Sequence, residues 1–276
     1  LRAMAPYCYR CPLEKTYPEC GIACLEELER ILRTRHQEIA AVITEPLVQG
    51  AAGMIVFPPG TLKRIADLCR RFDVLLIVDE VATGFGRTGR LFACEHEEVC
   101  PDLMAVAKGL TGGYLPLAAT LASEEIYRTF LGEYHELKSF FHGHTYTGNP
   151  LACAVGLANL DLFAQERTLD HLQRKIEHLG SGLSRFRRLP WVGDIRQLGF
   201  VAGIELVRDA GTKEEFPAPE KVGIRVIQEA RRRGVVLRPL GNVIVLMPPL
   251  SIAETELDQL LRVTYDSIQT VLGGAE

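Results

Sequence analysis

The sequence predicts an α/β protein: an open, mostly parallel sheet in a larger domain over residues 1–165, then a smaller C-terminal α+β domain over residues 166–276. Three observations carry this. Short apolar runs alternate with amphipathic helical patterns through the first half, the rhythm of βαβ units. Three of those runs end on a charged residue, Glu45, Asp79 or Lys108, and ligands of open α/β sheets bind beyond the carboxyl ends of the strands. After about residue 166 the order changes to helix, strand, helix, two short strands and a last helix. At 276 residues and 47% hydrophobic, the chain has ample material for such a core.

The elements follow in order. ECGIACLEELERILRTR predicts a helix over about 20–35, and the apolar residues 40–44 predict a strand ending at Glu45-Pro46. In PPGTLKRIADLCRRF, Pro58 and Pro59 open a helix with Leu62, Ile65, Ala66, Cys69 and Phe72 on one face. LLIVDEVATGFGRTG, residues 75–89, begins as an apolar run and reads as a strand buried on both faces, then turns at once into acid and glycine. Further strands are predicted over 103–107 and 117–121, and a long helix from Asn149 to about Glu166. The smaller domain reads as a helix, a strand at 201–207, a helix at 219–233, strands near 235–237 and 243–247, and a helix from about 254.

Composition excludes some classes. The net charge of −4 gives no reason to expect nucleic acid or an anionic membrane as partner. No apolar run approaches the ~20 residues of a membrane span, and no signal peptide is visible. The first residue is Leu1, so the chain is expected to be an N-terminally incomplete part of a longer protein, by itself largely inactive and poorly soluble. Among eight cysteines, Cys69, Cys94, Cys100 and Cys153 read as small core residues of a reduced, cytoplasmic protein. Cys8, Cys11, Cys20 and Cys24 form a C-x2-C-x8-C-x3-C pattern that would suit zinc. Free structural thiols are the plainer reading, since the second pair falls on the first turn of a helix and no histidine or further C-x2-C completes a familiar finger. His142 and His144 likewise lack a third ligand nearby, so no metal is assigned.

A buried lone charge is expensive, so each charged strand end needs a partner or a ligand. Asp79 could be read as the magnesium-holding aspartate of a nucleotide-binding strand, but that reading requires a G-x-x-x-x-G-K-[ST] loop and the chain contains no Gly-Lys pair. It also leaves Lys108 unexplained. In LMAVAKGLTGG the lysine ends an apolar strand and is followed by glycine, a setting in which burial would favour the neutral, nucleophilic amine. Pyridoxal phosphate needs a lysine for its aldehyde and an acid for its pyridine nitrogen. Lys108 and Asp79 are such a pair. Glu45 is either a pocket carboxylate or an acid capping the Pro46 turn.

DEVATGFGRTG, AVAKGLTGGYLPLAA and FHGHTYTGNPLACA resemble the class III (ω-type) aminotransferases of fold type I. The likeness runs over nearly the whole chain, from YCYRCP through ITEPLVQGAAGM to VVLRPLGNVIVLMPPL. It implies a fold type I PLP-transferase that moves an amino group to 8-amino-7-oxononanoate in biotin synthesis, with S-adenosylmethionine or lysine as donor. Ala82 stands where other branches of the family place glutamine, which favours the biotin-pathway branch. By the same resemblance Asp79 would pair with the pyridinium nitrogen, Lys108 would carry the cofactor as a Schiff base, and Val81 would pack on its ring. Thr145 with His144 would bind the cofactor phosphate of the neighbouring subunit in an obligatory homodimer. Gly143 would line the substrate site, and Arg238 would hold the keto-acid carboxylate. His144 departs from the Pro-Thr of many members, so its part is backbone placement.

Overall fold

The structure is a computed structural model that describes residues 1–274. Along the chain run α1 (Glu26–Arg35), β1 (Ala41–Thr44), β2 (Val48–Gln49), β3 (Ile55–Val56), α2 (Thr61–Arg71), β4 (Leu75–Asp79), β5 (Leu103–Val106), β6 (Ala119–Ala122), α3 (Glu124–Thr129) and α4 (Pro150–Gln165). These are followed by α5 (Thr168–Ser184), β7 (Val192–Leu198), β8 (Val201–Asp209), β9 (Glu214–Glu215), α6 (Val222–Arg232), β10 (Arg238–Leu240), β11 (Val243–Leu246) and α7 (Glu254–Gly273). The chain divides into two compact units. One comprises residues 1–47, 58–85 and 90–167; the other takes residues 48–57, 86–89 and 168–276.

In the first unit the sheet order is β1-β4-β5-β6. The first three strands are parallel, and β6 runs antiparallel to β5 at the edge. Helix α2 buries Leu62, Ile65, Ala66, Leu68 and Cys69, one stripe of its surface. The two prolines precede this helix rather than open it. Gly60, at φ 84°, is the residue before its first turn. Glu97 accepts the N–H groups of Gly60 at 2.8 Å and Lys63 at 2.7 Å, satisfying donors that the helix start leaves without partners.

Strand β4 corrects the expectation of burial on both faces. Leu76 and Val78 are buried while Leu75 is 40% exposed, and on β1 Ile43 is 67% exposed. The apolar run therefore serves one covered face and one open face of the sheet. Strand β6 begins two residues later than predicted: Thr111 Oγ1 donates to Leu115 O at 2.6 Å, residues 116–118 follow outside the ladder, and pairing starts with Ala119 against Val106. Helix α4 begins as its sequence dictates, with Pro150 in the first turn and the Asn149 side chain accepting from the N–H groups of Leu151 and Ala152.

The second unit is an antiparallel sheet, β10-β11-β8-β7, with β9 beside β8. Its core gathers Leu172 and Leu179 of α5, Phe186, Phe200, Ile204 and Leu206 of β8, Ile244 and Leu246 of β11, and Leu257 and Ile268 of α7. Strand β7 has no counterpart in the sequence prediction. Its segment WVGDIRQLG carries two charges, and the structure shows why a strand tolerates them: Arg196 Nη1 meets Glu205 at 2.6 Å and Asp194 at 2.8 Å. The same guanidinium donates to Gly53 O at 2.8 Å and Met54 O at 3.1 Å, tying the β2–β3 hairpin to this sheet. Strand β10 lies three residues beyond the predicted 235–237. Gly234, at φ 84°, and the bond from Val235 N to Ala230 O first close the end of α6. Arg238 thus opens a strand rather than following one.

Candidate active site

Parallel pairing brings the charged strand ends together. Thr44 pairs with Val78 and Asp79 with Ala105, so Glu45, Asp79 and Lys108 leave the sheet on the same carboxyl-terminal edge. Neighbouring strands lie about 4.8 Å apart. Asp79 is half-buried, and its Oδ1 accepts the Val81 N–H at 3.0 Å, which sets both the carboxylate and the half-buried Val81 at the mouth of the strand. Glu45 is half-buried as well.

Lys108 begins the short 3₁₀ turn Lys108–Thr111 that follows β5. Its φ of 41° lies in the left-handed region, uncommon for a residue with a side chain and frequent at working sites. The lysine is exposed, which corrects the expectation of a desolvated amine. The turn lifts its side chain past the end of the apolar strand instead of leaving it within. Two contacts fix that turn. Asn159 Nδ2 of α4 donates to Gly109 O at 2.8 Å and to Leu110 O at 3.2 Å. Phe85 packs so closely on Gly109 that a Cβ there would stand 2.7 Å from the Phe85 Cβ.

The glycine-rich turn after β4 is organised by a residue that sequence reasoning passed over. Glu80 is fully buried; its Oε2 accepts from Thr83 Oγ1 at 2.5 Å and its Oε1 from Cys94 N at 2.9 Å. Burial, and then Glu80, push the Cys94 thiol up to about 12. Arg87, from the same motif, belongs to the second unit, where it donates to Phe200 O at 2.8 Å and Pro248 O at 2.7 Å; burial draws it down to about 10. An arginine set among glycines was the available signal for both of its roles, turn and anchor.

The remaining predicted residues are placed as follows. Gly143, His144 and Thr145 are exposed, and their loop is held by local bonds: His144 N donates to Thr147 Oγ1 at 2.9 Å, and Tyr146 N to His144 Nδ1 at 3.2 Å. Arg238 is exposed at the start of β10 in the second unit. Cys8, Cys11, Cys20 and Cys24 line one cavity with Pro6 and Pro58, as free thiols. Burial raises the Cys24 thiol, opposed by a backbone hydrogen bond, with Cys8, Cys20 and Cys11 adding to the rise. Among the described residues no group of three or more His, Cys, Asp or Glu is placed to hold a metal ion. Cys69 and Cys94 are buried as expected. Cys100 and Cys153 are exposed, the first in the loop before β5 and the second on the open face of α4.

An amine and a carboxylate at the mouths of neighbouring parallel strands suit a cofactor that requires one of each, and in this they fit pyridoxal phosphate. Comparison with known families agrees: the class III aminotransferase pattern matches residues 2–268, and the chain belongs to that family, whose members depend on pyridoxal phosphate. Its fold is that of the fold type I transaminases. The chain is 57% identical over 275 residues to the adenosylmethionine-8-amino-7-oxononanoate aminotransferase of Geobacter sulfurreducens, covering 99% of this chain and 61% of that protein. It is 56% identical to the protein of the same name from Nitratidesulfovibrio vulgaris, covering 98% of this chain and 50% of that one. The crystal structure of adenosylmethionine-8-amino-7-oxononanoate aminotransferase from Methanocaldococcus jannaschii superposes with a TM-score of 0.89 at 46% identity, over 92% of this chain and 59% of that chain. A thermostable (S)-enantioselective omega-transaminase from Thermomicrobium roseum reaches a TM-score of 0.92 at 40% identity, over 99% of this chain and 60% of that chain. The chain thus spans between half and about six-tenths of the length of these curated relatives.

Proposed function

We propose that the chain carries the lysine and aspartate of a pyridoxal-phosphate-dependent aminotransferase that converts 8-amino-7-oxononanoate to 7,8-diaminononanoate in biotin synthesis. The single observation behind this is the delivery of Asp79 and Lys108 by neighbouring parallel strands, in a chain whose relatives bear the name of that activity. S-adenosylmethionine is the proposed donor. Residues 1–165 supply part of the cofactor-binding domain and 166–276 the smaller one, and the site of action is the cytoplasm.

The cofactor, when bound, supplies an electron sink for a carbanion at the substrate carbon. Asp79 holds the proton on the pyridine nitrogen, which keeps that sink open. Lys108 Nζ would hold the cofactor aldehyde and would serve as the base that moves the proton of the reacting carbon. Val81 backs the ring, and Arg238 grips the keto-acid carboxylate. Gly143 lines the substrate site.

His144 and Thr145 serve the phosphate of a neighbouring subunit, so the working unit is a homodimer. Helix α4 supports this. Its sequence PLACAVGLANLDLFAQ is apolar nearly all round, a composition suited to burial, yet Leu151 is 70% and Leu157 65% exposed.

The test is direct. A full-length protein containing these residues, purified and given pyridoxal phosphate and 8-amino-7-oxononanoate, should yield 7,8-diaminononanoate with S-adenosylmethionine and much less with lysine, whereas residues 1–276 alone should be largely inactive. The likeness to the omega-transaminase favours a second reading, another class III aminotransferase, acting on acetylornithine, β-alanine or a diamine. Turnover of those substrates with no transfer to 8-amino-7-oxononanoate would decide for it.

A further inference from the structure

We propose that Glu80 is the positioning residue of the Asp79–Lys108 pair, its buried carboxylate clamping the turn that carries the aspartate at one end and abuts the lysine turn at the other. The inference rests on the proposed roles of those two residues. Glu80 touches neither substrate nor cofactor in this account; it acts through its neighbours.

The bonds define a closed frame. Glu80 N donates to Ala105 O at 2.9 Å, and Ala105 is the β5 residue paired with Asp79. Glu80 O accepts from Gly84 N at 2.9 Å, and a Cβ on Gly84 would meet that oxygen at 2.8 Å, so the loop closes only over glycine. The carboxylate then takes the Thr83 hydroxyl from within the loop and the Cys94 N–H from outside it. Phe85, at φ 56°, is thereby aimed at Gly109, the residue after Lys108, and braced edge-on by Phe92 with centroids 5.6 Å apart. Asp79 and Lys108 are thus the two ends of one tightly packed path through residues 80–85.

The residue type follows from the donors. The surroundings offer the carboxylate a hydroxyl, a backbone N–H and the Cys94 thiol, which stays protonated up to about 12. Both oxygens of the Glu80 side chain accept, whereas a glutamine would turn its NH2 against one of these donors. A fully buried carboxylate is costly to keep unless all its neighbours donate. A site that merely needed packing would be served by an apolar side chain.

The experiment compares wild type, Glu80→Gln, Thr83→Val and Thr83→Ser as purified full-length proteins titrated with pyridoxal phosphate. Three quantities are read: the cofactor dissociation constant, the pH midpoint of its visible band, and the fraction trapped on Lys108 by borohydride. Glu80→Gln and Thr83→Val should weaken binding about ten-fold or more and displace the midpoint. Thr83→Ser, which keeps the hydroxyl, should match wild type. If Glu80→Gln does not fold, Thr83→Val against Thr83→Ser decides alone. Variants that melt at lower temperature but keep the wild-type binding, midpoint and trapping would reduce Glu80 to a structural residue and overturn the inference. Failure of wild type itself to trap at Lys108 would instead overturn the proposed function, and this inference with it.

Discussion

Arg238 carries the substrate assignment at the scale of single residues. A guanidinium–carboxylate pair is charge-assisted and can be bidentate. Arg238→Ala should therefore slow the keto-acid half-reaction by about ten- to a hundred-and-fifty-fold, while the donor half-reaction and trapping at Lys108 persist. Stopped-flow absorbance of each half-reaction measures this; equal damage to both halves would remove the carboxylate role. The thiols give a second prediction. Cys69 and Cys94 are held near 11 and 12, chiefly by burial, and should resist alkylation at neutral pH, whereas exposed Cys8, Cys100 and Cys153 react first. Because folding raises these two thiols above the ordinary 9.0, their contribution to stability is complete below about 9 and is lost as the pH climbs through 11 and 12. Unfolding curves that improve across that range would contradict the assignment. Asp79 and Lys108 could be read from sequence because a charge ending an apolar strand has few innocent explanations. Glu80 could not, since its carboxylate is explained only by Thr83 and by Cys94, which lies fourteen residues on and meets it only in three dimensions. The exposure of Lys108 also escaped, because a left-handed residue with a side chain leaves no mark in a sequence.

At the scale of elements, the pairing of β7 with β8 depends on a buried ion pair. The Arg196 and Glu205 side chains are each 7% exposed, and removing one partner strands the other. Arg196→Ala should cost about 3–5 kcal/mol in urea unfolding. Glu205→Ala should cost less, because Asp194 still faces the guanidinium at 2.8 Å. A loss for Arg196→Ala no larger than that for an exposed arginine would deny the pair its structural part. Helix α2 was legible from its apolar stripe and α4 from its Asn149-Pro150 start, whereas the six-residue α3 is too short to show a helical period and was not predicted. Strand β7 was not, since Asp194 and Arg196 break the apolar alternation that marks a strand, and the Glu205 and hairpin carbonyls that join them around the guanidinium come from other elements. The displacement of β10 has a similar origin: Val235 and Leu237 look like a strand, but Val235 closes the end of α6 and the ladder with β11 starts only at Arg238.

The whole molecule presents open apolar surface in its first unit, on β1, on β6 and along α4. If α4 meets a second copy, Leu157→Glu should shift the sedimenting species from dimer to monomer and lower activity with it. A dimer untouched by that change would place the interface elsewhere. The parallel pairing of β1 with β4 was legible from the helix α2 between them, whereas β4 and β5 are joined by a loop with one short 3₁₀ turn. The open faces were not legible, since an apolar run reads the same whether one side or both are covered. The central claim is that Asp79 and Lys108 form the cofactor pair. Its most direct measurement is borohydride reduction of the protein with pyridoxal phosphate, followed by mass mapping of the labelled peptide. In the full-length protein a phosphopyridoxyl group is expected on Lys108, with no such label in Lys108→Ala and a label without turnover in Asp79→Asn. A label that survives the loss of Lys108, or one spread evenly over other lysines, would contradict it.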